Sequence, residues 1–154
     1  MPSFSLITNS SEETFEIAFK LGKMLAKGEV VTLDGNLGAG KTLFTQGLAR
    51  ALGITEPVTS PTFAILNIYT TGDVPLYHFD VYRISSYDEL VEIGYEEYNQ
   101  GDGIIVIEWA KNIPELEYEE RLVKIDIERL DGVSENTRRI TIKTYEGKEL
   151  TCLY

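Results

Sequence analysis

Residues 35–42 read Gly35-Asn36-Leu37-Gly38-Ala39-Gly40-Lys41-Thr42. This run satisfies every fixed position of the pattern G-x-x-x-x-G-K-[ST], a loop whose backbone amides cradle phosphates. Gly35, Gly38 and Gly40 let the main chain approach a phosphate and take conformations closed to other residues. Successive amides would then line an anion-binding concavity at the positive end of the following helix. Lys41 is the residue to reach the β- and γ-phosphates, and the Thr42 hydroxyl the one to sit on Mg²⁺. The flanks agree. Val30-Val31-Thr32-Leu33 is a short apolar run of the kind that forms a buried strand, and Lys41 to Leu52 reads as a helix ended by Gly53. Strand, glycine loop and helix together open an α/β fold.

Working outward, Ser10 to Lys27 carries Phe15, Ala18, Phe19, Gly22, Leu25 and Ala26 at helical spacing, with Ser10 and Glu13 as a capping box and Gly28 as its end. Phe63 to Thr70 and Pro75 to Asp80 read as two strands of a hairpin around Thr71-Gly72-Asp73. Ser86 to Tyr98 reads as a helix with Ser86 and Glu89 as its capping pair, broken by Gly101-Asp102-Gly103. Ile104 to Ile107 is the most apolar strand, followed directly by Glu108 and Trp109. In the last third, Val123, Ile125 and Ile127 alternate with Lys124, Asp126 and Glu128, and Ile140 and Ile142 flank Thr141, with turns at Asp131-Gly132 and Glu146-Gly147. Period-two alternation predicts antiparallel strands with one wet face. The expected fold is a P-loop NTPase-like α/β domain: a parallel central sheet extended by antiparallel strands and flanked by helices.

The chain has 154 residues, 43% of them hydrophobic and 25% charged, which suits one globular domain spanning 1–154 and excludes wholesale disorder. One cysteine, Cys152, excludes an internal disulfide. No stretch is apolar enough to span a membrane, and the N-terminal residues lack the basic and apolar regions of a signal peptide. A cytoplasmic protein is the expectation. A net charge of −11 makes it a poor independent binder of RNA or DNA, and suits docking on a basic protein.

Phosphate chemistry with Mg²⁺ also needs a carboxylate. Glu108 is the first candidate, because ligands of open α/β sheets bind at the carboxyl ends of strands. Asp80, which ends the Leu76 to Phe79 run, is the second; it can orient a water, hold the metal through water or act as a base. His78, the only histidine, lies inside that apolar run and reads as a packed core residue before a catalytic one. The guanine-reading N-K-x-D motif is absent and Asp80 is not followed by x-x-Gly, which favours ATP over GTP.

With these pieces together, the sequence resembles the bacterial TsaE family, also called YjeE. The matching stretches are GNLGAGKT at Gly35–Thr42, SPTF at Ser60–Phe63, YHFDVYR at Tyr77–Arg83 and IEW at Ile107–Trp109. The resemblance spans essentially the whole chain. It implies a small P-loop ATPase needed for threonylcarbamoyladenosine, the modified base beside the anticodon of tRNAs reading codons that begin with A. It also implies action on the paired proteins TsaD and TsaB, with slow hydrolysis alone and contact with tRNA only through that pair.

By position, the resemblance makes Lys41, Asp80 and Glu108 catalytic. It gives the nucleotide Ser11, Leu37, Gly38, Ala39, Gly40, Lys41, Thr42 and Gly132, with the Asn9–Ser11 and Gly132–Arg139 regions bordering the adenine. It gives Mg²⁺ Thr42 and Glu108. Ser60, Pro61, Thr62 and Phe63 form one switch segment, and His78, Tyr82 and Arg83 belong to the segment around Asp80. Trp109 takes part in the response to nucleotide or partner. Relatives often carry an acid where this chain has Lys111, so that acid's role does not transfer. A small-molecule kinase and a nucleotide-gated assembly factor without hydrolysis are the competing functions. Against the kinase, SPTFAILNIY after the phosphate-loop helix is apolar and lacks an arginine cluster.

Overall fold

The structure is a computed structural model that describes residues 2–36, 38–61, 65–151 and 153. Its strands are β1 (Ser3–Thr8), β2 (Val30–Gly35), β3 (Leu66–Tyr69), β4 (Leu76–Asp80), β5 (Ile104–Glu108), β6 (Leu122–Arg129) and β7 (Arg138–Thr144). They form one sheet in the order β1-β7-β6-β2-β5-β4-β3. The pairs β4–β5, β5–β2 and β2–β6 are parallel; β1–β7, β6–β7 and β3–β4 are antiparallel. A parallel centre with antiparallel margins is the architecture that the sequence predicts.

The helices are α1 (Ser11–Gly22), α2 (Lys41–Ala51), α3 (Tyr87–Glu92) and α4 (Tyr95–Asn99). On one face, α1 and α2 pack through Ala18, Leu21, Phe44 and Leu48 onto Val31 and Leu33 of β2, Ile104 and Val106 of β5, and Ile125 of β6. On the other, Leu90, Tyr95, Ile113 and Leu116 cover Val30, Phe79, Ile105 and Ile107. Burying a side chain such as Phe44 or Leu48 is worth roughly 1.5–3 kcal/mol. Strand alternation therefore fixes sides: His78, Asp80 and Glu108 fall on the α2 face, and Asp34 on the opposite one. Helices α1 and α2 cross closely because two glycines meet the neighbouring helix there. A Cβ on Gly47 would stand 2.6 Å from Ala18 Cβ, and one on Gly22 2.6 Å from Ala51 Cβ.

Several elements differ from expectation. Strand β6 runs parallel to β2, not antiparallel to all its neighbours. Its alternation arises because only 3-10 turns at Ala110–Asn112 and Pro114–Tyr118 lie near its second face, where Lys124 bonds Glu117 and Asp126 bonds Lys111. Helix α1 ends at Gly22, short of Lys27, and its continuation turns so that Lys148 takes the Met24 carbonyl. The 86–98 helix is two, divided at Gly94 with φ 104°. The hairpin is present, with β3 beginning at Leu66; Phe63 lies outside the described residues. Strand β1 has no counterpart in the sequence reading.

At the start of β2, Glu29 is 1% exposed. Its carboxylate accepts from the Ala26 amide at 2.7 Å, Tyr145 Oη at 2.5 Å and Lys148 Nζ at 2.9 Å. This ties the chain after β7 to the foot of the central strand, far from the glycine loop at its other end.

Candidate nucleotide site

The carboxyl ends of β2, β4 and β5 open into a cleft of about 560 Å³ lined by Gly38, Gly40, Lys41, Thr42, Ser60, Asp80, Tyr82, Arg83, Glu108 and Trp109. Gly38 and Gly40 have φ of 80° and 107°, and Gly40 caps α2 in the left-handed conformation. No neighbour crowds a Cβ at Gly40, so its backbone angle is what demands glycine. Arg138 of β7 donates from Nε to the Ala39 carbonyl at 2.8 Å, fastening the loop from outside. A cavity of about 580 Å³ between Gln46 and Val58, at the far end of α2, has no comparable cluster of acids and lysine.

Lys41 is 6% exposed. Its ammonium donates to the Gly35 carbonyl at 2.5 Å and the Asn36 carbonyl at 3.2 Å, and stands 4.0 Å from the Trp109 ring centroid. Burial draws its pKa below the usual lysine range, and Glu108, Asp80 and Asp34 oppose that fall. Asp80 accepts from the Tyr82 amide at 2.9 Å and from Ser60 Oγ at 3.4 Å, so the Ser60 segment and the segment after β4 meet on one carboxylate. Glu108, 2% exposed, accepts from His78 Nε2 at 2.6 Å. Tyr82 packs against Trp109 with ring centroids 4.8 Å apart.

Backbone strain gathers here. Ile65 (φ 67°) and Trp109 (φ 62°) are the non-glycine residues with positive φ among those described. Such conformations persist where surrounding structure holds them, and they cluster at functional sites. The Ile65 carbonyl accepts from the Asp80 amide at 2.8 Å, and the Trp109 amide donates to the Leu33 carbonyl at 3.2 Å.

The cleft thus brings together Gly38, Gly40, Lys41, Thr42, Ser60, Asp80, Tyr82, Arg83, Glu108 and Trp109 from the sequence reading. Ser11 and Ala39 line a smaller recess of about 110 Å³ with Thr14, Leu43, Asn136 and Arg138, and Gly40 lines both this recess and the cleft. Gly132 lies on the exposed turn between β6 and β7 and lines neither cavity. Pro61 is buried beside the cleft wall; Leu37, Thr62 and Phe63 lie outside the described residues. His78 does not line the cleft but stands behind Glu108, fully buried, as a core residue with a polar contact. Arg138, within the Gly132–Arg139 region that the resemblance offered, bonds the loop itself, a contact that no local pattern announces. Lys111 turns away and pairs with Asp126 at 3.0 Å, while its amide donates to Asp34 at 3.1 Å.

The donor set fits a small hard cation held beside phosphates. Mg²⁺ takes one or two carboxylates and keeps water and phosphate oxygens for its other positions. Thr42 and Glu108 face one cleft, and Glu108 keeps one carboxylate oxygen without a hydrogen bond among the described residues. No cluster of three or more acids, histidines or cysteines suited to a metal cage occurs among those residues.

Comparison with known proteins decides the family. The model for "Threonylcarbamoyl adenosine biosynthesis protein TsaE" matches residues 8–140. The chain belongs to the TsaE family. A TsaE protein of Bacillus subtilis (strain 168), whose name places it in tRNA threonylcarbamoyladenosine biosynthesis, is 46% identical over 147 residues, covering 94% of this chain and 89% of the relative. The TsaE protein of Treponema pallidum is 40% identical over 136 residues, covering 88% and 97%. The crystal structure of Bacillus subtilis YdiB superposes with a TM-score of 0.77 at 37% identity, covering 93% of this chain and 86% of that one. TsaE membership accords with the α/β sheet described above. No helix among the described residues is long and apolar enough to cross a membrane.

Proposed function

We propose that this chain binds ATP with Mg²⁺ in the cleft at the head of α2 and hydrolyses it to drive threonylcarbamoyladenosine formation on tRNA. The observation that carries the reading is the convergence of Lys41 and Thr42, from the glycine loop, with Asp80 and Glu108, from two strand ends, in one 560 Å³ cleft. In this reading Lys41 leaves its loop carbonyls for the phosphates. Thr42 and Glu108 would hold the metal, which when bound would supply charge neutralisation to the phosphates. Asp80, held by Ser60 and the Tyr82 amide, orients the attacking water. The recess with Ser11 and Arg138 borders the base.

The residues form one ATPase domain acting in the cytoplasm. Its partners are the TsaD and TsaB proteins, and it meets tRNA only through them. The acid excess of −11 supports indirect contact, since direct binding to nucleic acid rests on basic side chains. An arginine aimed at the γ-phosphate can be worth about 10³–10⁵ in rate. Arg83 lines the cleft from the turn after β4, where Asn112 Nδ2 donates to the Val81 carbonyl at 3.1 Å. A partner that orders this segment completes the site. The test is steady-state ATP hydrolysis with and without the TsaD–TsaB pair. The pair should accelerate turnover, and Asp80→Ala should bind ATP yet not respond. Equal rates in both conditions refute the partner-activated reading.

A further inference from the structure

We infer that His78 is the positioning residue for Glu108, fixing one carboxylate oxygen so that the other is presented to the metal. The inference rests on the Mg²⁺–ATP reading of the cleft. His78 and Glu108 come from β4 and β5, and their side chains are 0% and 3% exposed. Nε2 and Oε2 lie 2.6 Å apart. A carboxylate only accepts, so the ring donates through Nε2–H, and a neutral ring then carries a lone pair at Nδ1. Nδ1 has no hydrogen-bond partner in its buried position, so Glu108 is the one polar anchor of the ring among the described residues. Packing on all sides prevents the imidazole from following another partner.

A glutamate side chain has several rotatable bonds, and ordering it costs up to about 1.5–2 kcal/mol. In this cleft it also faces the Lys41 ammonium, toward which a free carboxylate would swing. The bond from His78 removes both problems before a metal arrives. Partners that orient a metal ligand typically change metal affinity or activity by roughly 10–100-fold. The effect should therefore fall on the metal and spare the phosphates, which bind through the glycine loop and Lys41.

The experiment measures Mn²⁺, standing in for Mg²⁺, by electron paramagnetic resonance of the free ion in the presence of ADP, alongside metal-free ADP affinity by calorimetry. His78→Leu should weaken Mn²⁺ binding by roughly 10–100-fold, with metal-free ADP affinity within about twofold. His78→Gln, whose side-chain amide reaches the place of Nε2, should recover most of the Mn²⁺ affinity, and His78→Asn, which stops short, should not. A merely structural histidine would lower stability in all three variants without separating metal from nucleotide. If His78→Leu fails to fold, as judged by lost ADP binding, the Gln and Asn variants carry the comparison. Unchanged Mn²⁺ affinity in His78→Leu, or equal loss in the Gln and Asn variants, overturns the inference. A wild-type protein that binds neither ADP nor Mn²⁺ overturns the nucleotide reading itself and this inference with it.

Discussion

Replacing Lys41 by alanine tests the nucleotide site most directly, because its present contacts set the size of the effect. A hydrogen bond from a charged donor contributes about 1.5–3 kcal/mol. At about 1.4 kcal/mol per tenfold, losing one such bond to phosphate would weaken binding roughly 10- to 150-fold. Lys41 must first release the Gly35 and Asn36 carbonyls and leave the face of Trp109, which brings the expected loss to the lower part of that range, roughly 10- to 50-fold. The sign of a second effect follows from the acids around it. Without the ammonium, Glu108 and Asp80 confront the nucleotide unopposed, so metal-free ATP should suffer more than Mg²⁺–ATP. Trp109 is the only tryptophan in the sequence, so its fluorescence reports on this site alone. Titrations with and without Mg²⁺, with circular dichroism to check the fold, give both quantities. Affinity within threefold of wild type in both titrations would refute the placement of Lys41 on phosphate.

Thr42→Ala and Glu108→Gln should each lower Mg²⁺-dependent ATP affinity by about tenfold or more (~1.4 kcal/mol) while sparing metal-free binding, measured by the same titrations. Gly47→Val forces a side chain against Ala18 Cβ at 2.6 Å and the Phe15 carbonyl at 2.8 Å. Overpacking of about 1–3 kcal/mol should lower Tm by roughly 2–12 °C, read by calorimetry. Asp34 gives a pH signature. Burial is the largest influence on its carboxyl and raises its pKa, against the bond from the Lys111 amide. The folded state then binds a proton at higher pH than the unfolded one, so this group adds stability as pH falls from the folded pKa toward about 3.9. Asp34→Asn lacks that gain, and its Tm relative to wild type should decline as pH falls through that window.

The meeting of Lys41, Thr42, Asp80 and Glu108 in one cleft was legible because the glycine loop is eight consecutive residues and each acid closes an apolar run. The wet faces of β6 and β7 were legible too, since alternation reports which side is covered. Direction was not: β6 alternates for want of cover on its outer face, and it nevertheless runs parallel to β2. Strand β1 offers only Phe4 and Leu6 as partly buried apolar side chains, with exposed Ile7 blurring the period. His78 could be read as buried but not as Glu108's partner. That contact joins residues 30 apart through the parallel register of two strands, which no local pattern encodes. Arg138 reaches the glycine loop across 99 residues for the same reason.

The Glu29 knot has a practical meaning for anyone trimming or labelling this protein. Tyr145 and Lys148 supply two of the three groups that satisfy a carboxylate with 1% exposure. A chain cut before Tyr145 would keep every residue that lines the cleft and still lose two of that carboxylate's three partners together with the buried Leu150 and Leu153. Stripping a partner from a buried charge costs about 3–5 kcal/mol, a large share of a domain's whole stability. A shortened clone that failed to express would therefore say nothing against the site, and a probe is better attached at exposed Val133 than on the tail that holds the foot of the sheet together.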